Sequence, residues 1–294
     1  MSAGQETLAE PRPDRYHVRR SIMFSYAGRR ALITGGGRGI GRAIALAYAK
    51  AGADIAVAAR SPGQLDDTVR EIKELGREAW ALPVDLTARG APQDLVTRAL
   101  DVMGRIDVLV NSAGDTGRLE RSTFDLTDDD VDHVYQLHVK SALFTSIRAA
   151  ESMVRLGIPG AILNITSTGG LFPTPGAVLY GSAKSAINHL TSTLGMEFGT
   201  HGIRVNAIAP GLIDTPLVAD RLVSEEDQID LASFYPINRV GHVDDVSAAA
   251  LYLCSAEAGW VSGVTLLING GQHASNAMFR WPRRHNEVPA GRRI

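Results

Sequence analysis

The sequence predicts an α/β chain: one domain in which a seven-stranded parallel sheet is doubly wound, with helices on both faces. Three observations carry this expectation. Short apolar runs alternate with longer segments whose apolar residues recur at helical spacing. The strand candidates are apolar on both faces, as a sheet covered on both sides requires. The first of them runs into a glycine-rich loop that opens a helix. Right-handed crossovers then put the ligand crevice at the carboxyl ends of the strands.

The elements follow in order. A strand is expected at 31–34, then an alanine-rich helix at 40–51. Strands at 54–59 and 79–84 flank a helix at 64–75, and a helix at 93–103 leads to a strand at 106–110. A long helix is expected over 128–155, where Thr127 and Asp128-Asp129-Asp130 fit an N-cap with acids in the first turn better than a metal site. Strands at 161–165, 204–208 and 264–268 alternate with helices at 177–198 and 243–256. No linker interrupts the series.

Composition narrows the function classes. The chain has 294 residues, 45% of them hydrophobic, which suits one large domain or two small ones. No segment recurs at a fixed period, which disfavours a solenoid or propeller. A net charge of −2 favours neither nucleic acid nor an anionic membrane. The single cysteine, Cys254, excludes an intrachain disulfide framework and reads as a small buried hydrophobe. Charged residues break the first 22 positions, so no signal-peptide core is present there. The most apolar long stretch, 43–59, carries Lys50, Gly52 and Asp54 and is too short to span a bilayer. A cytoplasmic protein is expected. His189, His201 and His242 show no ligand spacing, and no metal is expected. Residues 1–27 read as a poorly ordered extension, 28–271 as the domain, and 272–294 as an arginine-rich tail. That tail is either disordered or touches a neighbouring subunit or an anionic substrate.

Thr34-Gly35-Gly36-Gly37-Arg38-Gly39-Ile40-Gly41 joins the first strand to the first helix. Glycines let the backbone turn and approach a pyrophosphate, and the helix start offers free N–H groups and a positive dipole end. The second strand ends Ala58-Ala59-Arg60-Ser61. An acid there would bond the ribose 2′-hydroxyl of NAD and repel a 2′-phosphate, whereas a guanidinium neutralises that phosphate. Arg60, with Arg38 able to reach the same place, points to NADP(H); the plainer reading is a solvated loop cation. Tyr180-Gly181-Ser182-Ala183-Lys184 sets a phenol and an ammonium on one helix face. A phenol of pKa about 10 is a poor base at neutral pH. A neighbouring cation favours the phenolate and lets one group serve as acid and base. Ser167, at the end of Asn164-Ile165-Thr166-Ser167, stands 13 residues before Tyr180.

Gly35-x-x-x-Gly39-x-Gly41, Ser167 and Tyr180-x-x-x-Lys184, in that order, resemble the short-chain dehydrogenase/reductase family, over nearly all of 24–271. The resemblance implies a Rossmann-type domain that moves a hydride between NADP(H) and a carbonyl or alcohol carbon of a small molecule. Ser167 would donate to the substrate oxygen, Tyr180 would deliver the proton, and Lys184 would hold the nicotinamide ribose and depress the tyrosine pKa. Asp85, followed by Leu86, would accept from the adenine amino group; its plainer role is to cap the next turn. Asn111-Ser112-Ala113-Gly114 resembles the family's Asn-Asn-Ala-Gly, with Ser112 as a departure, and Asn111 would brace the sheet beneath the cofactor. Pro210-Gly211-Leu212-Ile213-Asp214-Thr215 would wrap the nicotinamide through the Ile213 backbone and the Thr215 side chain.

Residues 216–236 fall where the family keeps a substrate lid. Their Ser224-Glu225-Glu226-Asp227 cluster is acidic, and Leu217, Val218, Leu222, Leu231 and Phe234 suit either an apolar substrate or packing. The family assembles as homodimers or homotetramers through its two long helices. One position departs from the pattern: where the family keeps an asparagine that supports a water relay to the lysine, this chain has His138. His138 either replaces that asparagine, through its carbonyl or its own titration, or is a satisfied core histidine. A 3-oxoacyl thioester is the default narrower substrate. Intact Ser167, Tyr180 and Lys184 oppose the alternative of a silent NADP(H)-binding regulator.

Overall fold

The structure is a computed structural model and describes residues 24–117, 122–217 and 235–274. All seven expected strands form: β1 (Arg30–Thr34), β2 (Asp54–Ala59), β3 (Ala79–Pro83), β4 (Val108–Asn111), β5 (Ala161–Ile165), β6 (Arg204–Pro210) and β7 (Thr265–Ile268). They make one sheet in the order β3-β2-β1-β4-β5-β6-β7, with every neighbouring pair parallel. The helices are α1 (Gly39–Lys50), α2 (Pro62–Glu74), α3 (Ala91–Met103), α4 (Asp128–Val134), α5 (Ser141–Leu156), α6 (Val178–Gly199) and α7 (Val243–Cys254).

Alternate residues of the strands feed two cores. Ile33, Ile55, Val57, Val110 and Leu163 face α1, α2 and α7, while Leu32, Ala56, Leu109, Ile162 and Val205 face α3, α5 and α6. Both faces are therefore covered, which is why the strands read as continuous apolar runs.

Most boundaries shift by one or two residues, and two of the differences have a visible form or cause. β4 starts at Val108 because the Asp107 carboxylate, bonded to Arg105, takes the Arg30 N–H that would otherwise extend the ladder. The single helix expected over 128–155 is interrupted by a π-helical stretch, Tyr135–Lys140, between α4 and α5. Thr127 and Asp130 cap α4 reciprocally, so the triple aspartate opens a helix.

Core packing also begins ahead of residue 28. Tyr26 is fully buried, stacks on Tyr48 at 4.7 Å, and donates to the Leu251 carbonyl of α7. Residues 1–23 and 275–294, and with them most of both expected tails, lie outside the described residues. Within the expected C-terminal tail, Gln272–Ala274 forms a 3-10 turn. Cys254 is buried, and burial pushes its thiol up to about 11. Among the described residues no helix is long and apolar enough to cross a membrane.

Candidate active site

The crossovers leave β1 in opposite directions, towards β2 on one side and β4 on the other, so the loops after β1 and β4 diverge. A cleft of about 1370 Å³ opens there, larger than the pockets of up to roughly 1,000 Å³ that hold ordinary small ligands. It runs from the glycine loop across the carboxyl ends of the strands to Tyr235 and His273.

Backbone geometry explains the glycines. Gly35 has φ +70°, and a Cβ there would stand 2.8 Å from the Ser112 carbonyl oxygen. A Cβ on Gly41 would overlap the Gly35 carbonyl oxygen. The two diverging loops are tied by the Thr34 hydroxyl, which accepts the Ser112 and Ala113 N–H groups at 3.1 and 3.2 Å. Helix α1 starts after Arg38 with no side-chain cap and no acid in its first turn, leaving its N–H groups for an anion. Gly35, Arg38, Gly39, Ile40 and Gly41 all line the cleft.

Arg38 and Arg60 are exposed on the same stretch of cleft, and among the described residues neither forms an ion pair. Asp85 and Leu86 follow on the wall. The Asp85 carboxylate accepts the N–H and hydroxyl of Thr87, which hold it below the usual carboxylate range, so the turn-capping role is in place. Ala113, Gly114, Pro210, Gly211, Ile213 and Thr215 also line the cleft. Asn111 does not: its amide donates to Asn164 and Ser146 and accepts from Thr145, and Asn164 donates on to Thr191. This buried chain joins α5, β4, β5 and α6 beneath the cleft floor.

Ser167, at the end of β5, and Tyr180 and Lys184, one turn apart on α6, meet on the cleft wall. The Ser167 hydroxyl stands close enough to the Tyr180 phenol to favour its phenolate, and it accepts the Gly169 N–H at 3.1 Å. The Lys184 ammonium donates to the Ile165 carbonyl at 3.0 Å and lies 5.6 Å from the centre of the Tyr180 ring. Burial lowers Lys184 to about 8. The phenol departs from expectation. Burial raises its pKa, the bond from Ser167 offsets this in part, and the charge of Asp115 raises it further. The ring is desolvated and a carboxylate stands nearby, and both act against the phenolate.

That carboxylate, which the sequence reading missed, organises the histidine. His138 is buried in the π-helical stretch, its ring edge-on to Tyr180 at 5.8 Å. Its Nε2 meets Asp115 Oδ1 at 3.3 Å, the His133 Nε2 meets Asp115 Oδ2 at 2.7 Å, and the Gly117 N–H donates to Oδ1 at 2.9 Å. Burial pushes the Asp115 carboxyl up, but the bonds from His138, His133 and Gly117 together hold it well below the usual range. Burial and then the Lys184 cation lower His138 to about 4. Residues five apart sit about 140° apart on a regular α-helix. A local signal for the His133–His138 pair was therefore absent, and only the wider π turn brings both onto one carboxylate.

The far wall was also illegible. Phe172 stacks on His273 at 6.3 Å, and the Tyr235 hydroxyl accepts the Leu212 N–H at 3.2 Å. Of the expected lid, Pro216, Leu217 and Tyr235 line the cleft. Residues 218–234, with the acidic cluster and Val218, Leu222, Leu231 and Phe234, lie outside the described residues. Among the described residues no group of three or more His, Cys, Asp or Glu side chains could hold a metal ion.

A family model described as Enoyl-(Acyl carrier protein) reductase matches residues 35–273. The 7alpha-hydroxysteroid dehydrogenase of Escherichia coli K12 is 37% identical over 244 residues, covering 83% of this chain and 94% of that enzyme. The L-rhamnose 1-dehydrogenase (NAD(P)(+)) of Sphingomonas sp. SKA58 is 32% identical over 249 residues, covering 84% and 97%. A solved 7 alpha-hydroxysteroid dehydrogenase, complexed with NADH and 7-oxo glycochenodeoxycholic acid, superposes with a TM-score of 0.79. It is 36% identical and covers 84% of this chain and 95% of its own.

Proposed function

Because the chain belongs to the short-chain dehydrogenase/reductase family, we propose that it interconverts a ketone and an alcohol on a small molecule with NADP(H). One observation carries the reading: Ser167, Tyr180 and Lys184 converge on a cleft whose other end is a glycine cradle beside Arg38 and Arg60, which form no ion pair among the described residues. The cradle fits a dinucleotide, since Gly35 and Gly41 leave no room for a Cβ and α1 begins uncapped. Gly35, Gly39, Ile40 and Gly41 would hold the pyrophosphate. Arg38 and Arg60 would take a 2′-phosphate, Asp85 and Leu86 the adenine, and Ala113, Gly114, Pro210, Gly211, Ile213 and Thr215 the nicotinamide half. When bound, the dinucleotide supplies or accepts the hydride.

The chain's own groups handle the oxygen and its proton. Ser167 donates to the substrate oxygen and steadies charge developing there. Tyr180 holds the proton that this oxygen gains on reduction or loses on oxidation. A phenol raised by burial stays protonated at neutral pH, which suits the acid role in reduction. Lys184, pinned by the Ile165 carbonyl, keeps a positive charge beside the phenol and favours the phenolate left after transfer.

The far wall pairs apolar Phe172 and Leu217 with polar Asn269 and His273, which supports a substrate carrying both a hydrocarbon face and hydroxyl groups. The matching family model is described as an enoyl thioester reductase, which favours an acyl thioester as a second substrate reading; the 3-oxoacyl kind is the one that carries a ketone. Exposed apolar residues on the long helices, Val154 and Leu156 on α5 and Val178 and Met196 on α6, support a homodimer or homotetramer. A cytoplasmic site of action completes the reading.

The test is turnover of a ketone panel with NADPH and NADH, followed by absorbance. A higher kcat/KM with NADPH is expected, and Tyr180→Phe should lower kcat by about 10²-fold or more. A preference for NADH would defeat the cofactor choice. Near-normal turnover by Tyr180→Phe would defeat the acid role.

A further inference from the structure

His138 leaves one atom unaccounted for. Its side chain has no solvent exposure, and its Nδ1 has no hydrogen-bond partner among the described residues. The ring lies against the cleft-lining Gly114, where a Cβ would come within 2.8 Å of Cε1 and 3.2 Å of Nδ1. A buried acceptor left bare costs about 1–3 kcal/mol, so the site calls for a donor.

The partners decide which kind. Asp115 is ionised and accepts only. It therefore takes an N–H from His133 and from Gly117, and from His138 it takes Nε2–H. Full burial and the neighbouring Lys184 cation keep the His138 ring neutral. With its one proton on Nε2, the ring leaves a lone pair at Nδ1, beside the backbone of Gly114.

We infer that His133, Asp115 and His138 form a tautomer clamp, which presents His138 Nδ1 to the cleft as a fixed acceptor for an O–H donor, a water or a substrate hydroxyl. The groups facing this ring are Asp115 from the loop after β4, His133 from α4, and Tyr180 and Lys184 from α6. An asparagine amide can donate or accept; the clamped imidazole only accepts. Asp115 and His133 are thus positioning residues acting through His138, much as an orienting carboxylate fixes a catalytic imidazole. The effect on turnover rests on the oxidoreductase reading, whereas the tautomer does not.

The experiment takes the full chain with ¹⁵N-labelled histidine and reads long-range ¹H–¹⁵N spectra at neutral pH, with His138→Gln to assign the ring. The wild type should show His138 protonated on Nε2 alone. Asp115→Asn should move proton density to Nδ1, because the amide N–H₂ can donate to Nε2. An imidazolium, an Nδ1–H ring in the wild type, or an unmoved proton in Asp115→Asn would overturn the clamp. With a substrate in hand, Asp115→Asn should lower kcat about 10–100-fold with an unchanged KM for the cofactor. His133→Gln, which keeps an N–H donor, should retain both tautomer and rate, while His133→Leu should not. These two variants carry the test if Asp115→Asn fails to fold. A loss confined to substrates with a second hydroxyl identifies that hydroxyl as the donor; an equal loss for all identifies water. A switched tautomer with unchanged kcat would overturn the catalytic consequence. If no ketone reacts at all, the oxidoreductase reading falls and the spectra still decide the clamp.

Discussion

At Gly41 the obstacle to a side chain is backbone, since its Cβ would overlap the Gly35 carbonyl oxygen and neither group can swing away. Gly41→Ala should therefore weaken dinucleotide binding by at least about tenfold, or roughly 1.4 kcal/mol, in a fluorescence titration. Gly63 on α2 has open space where its Cβ would go, and Gly63→Ala should instead gain about 0.5–1 kcal/mol in urea unfolding. Equal binding by wild type and Gly41→Ala would refute the cradle argument. The glycine loop, Tyr180 and Lys184 were legible because their spacing is local: a turn seven residues long and one helical repeat. Ser167 was legible only through the family pattern. Asp115 was not legible at all, because its importance arises from two histidines that converge on it in space.

Among the elements, α7 shows how a helix end is paid off by distant residues. The Tyr26 and Tyr48 hydroxyls donate to the Leu251 and Ala250 carbonyls, Arg29 donates to Cys254, and Arg204 forks onto Leu253, Ser255 and Val261. Those on Leu251, Leu253 and Cys254 satisfy carbonyls that the last turn leaves without intrahelical partners, those on Ser255 and Val261 hold the segment that follows, and the cations oppose the negative dipole end. Arg204→Met should cost about 3 kcal/mol, read from the urea midpoint, since three charge-assisted bonds go and buried carbonyls are left bare. Arg204→Lys should recover only part of it, because an ammonium cannot reproduce the planar fork. A loss below about 0.5 kcal/mol in Arg204→Met would show that water replaces the guanidinium. The strands themselves were readable, since the central ones are buried on both faces and are mostly apolar, with Asn164 and Asn206 as buried polar exceptions. The π-helical stretch was not: Tyr135–Lys140 contains no Gly or Pro, and its apolar residues also satisfy an α-helical pattern. Phe172, Tyr235 and His273 were equally hidden, because only tertiary folding brings three loops to one wall.

For the molecule as a whole, the buried His138 couples stability to pH. Its folded pKa, about 4, lies below the ordinary value of 6.5, so between those values the unfolded chain binds a proton that the folded chain refuses. Stability therefore falls as pH drops through that window. Asp115, held below the usual carboxylate range, adds its own loss only at lower pH. The Tm should fall by roughly 5 °C between pH 6.5 and 4.5, and by less in His138→Gln. Parallel slopes in the two proteins would remove His138 from the account. The cleft has a consequence of its own at this scale. Its walls are drawn from Gly35 at one end of the chain to His273 at the other, so an occupant acts as a strut between the earliest and latest parts of the sequence. A dinucleotide at 100 times its Kd would add about 2.7 kcal/mol to the entire fold, not to one loop. During synthesis, by the same token, the cleft has its full set of walls only once His273 has been added, so occupancy rewards completion of the domain.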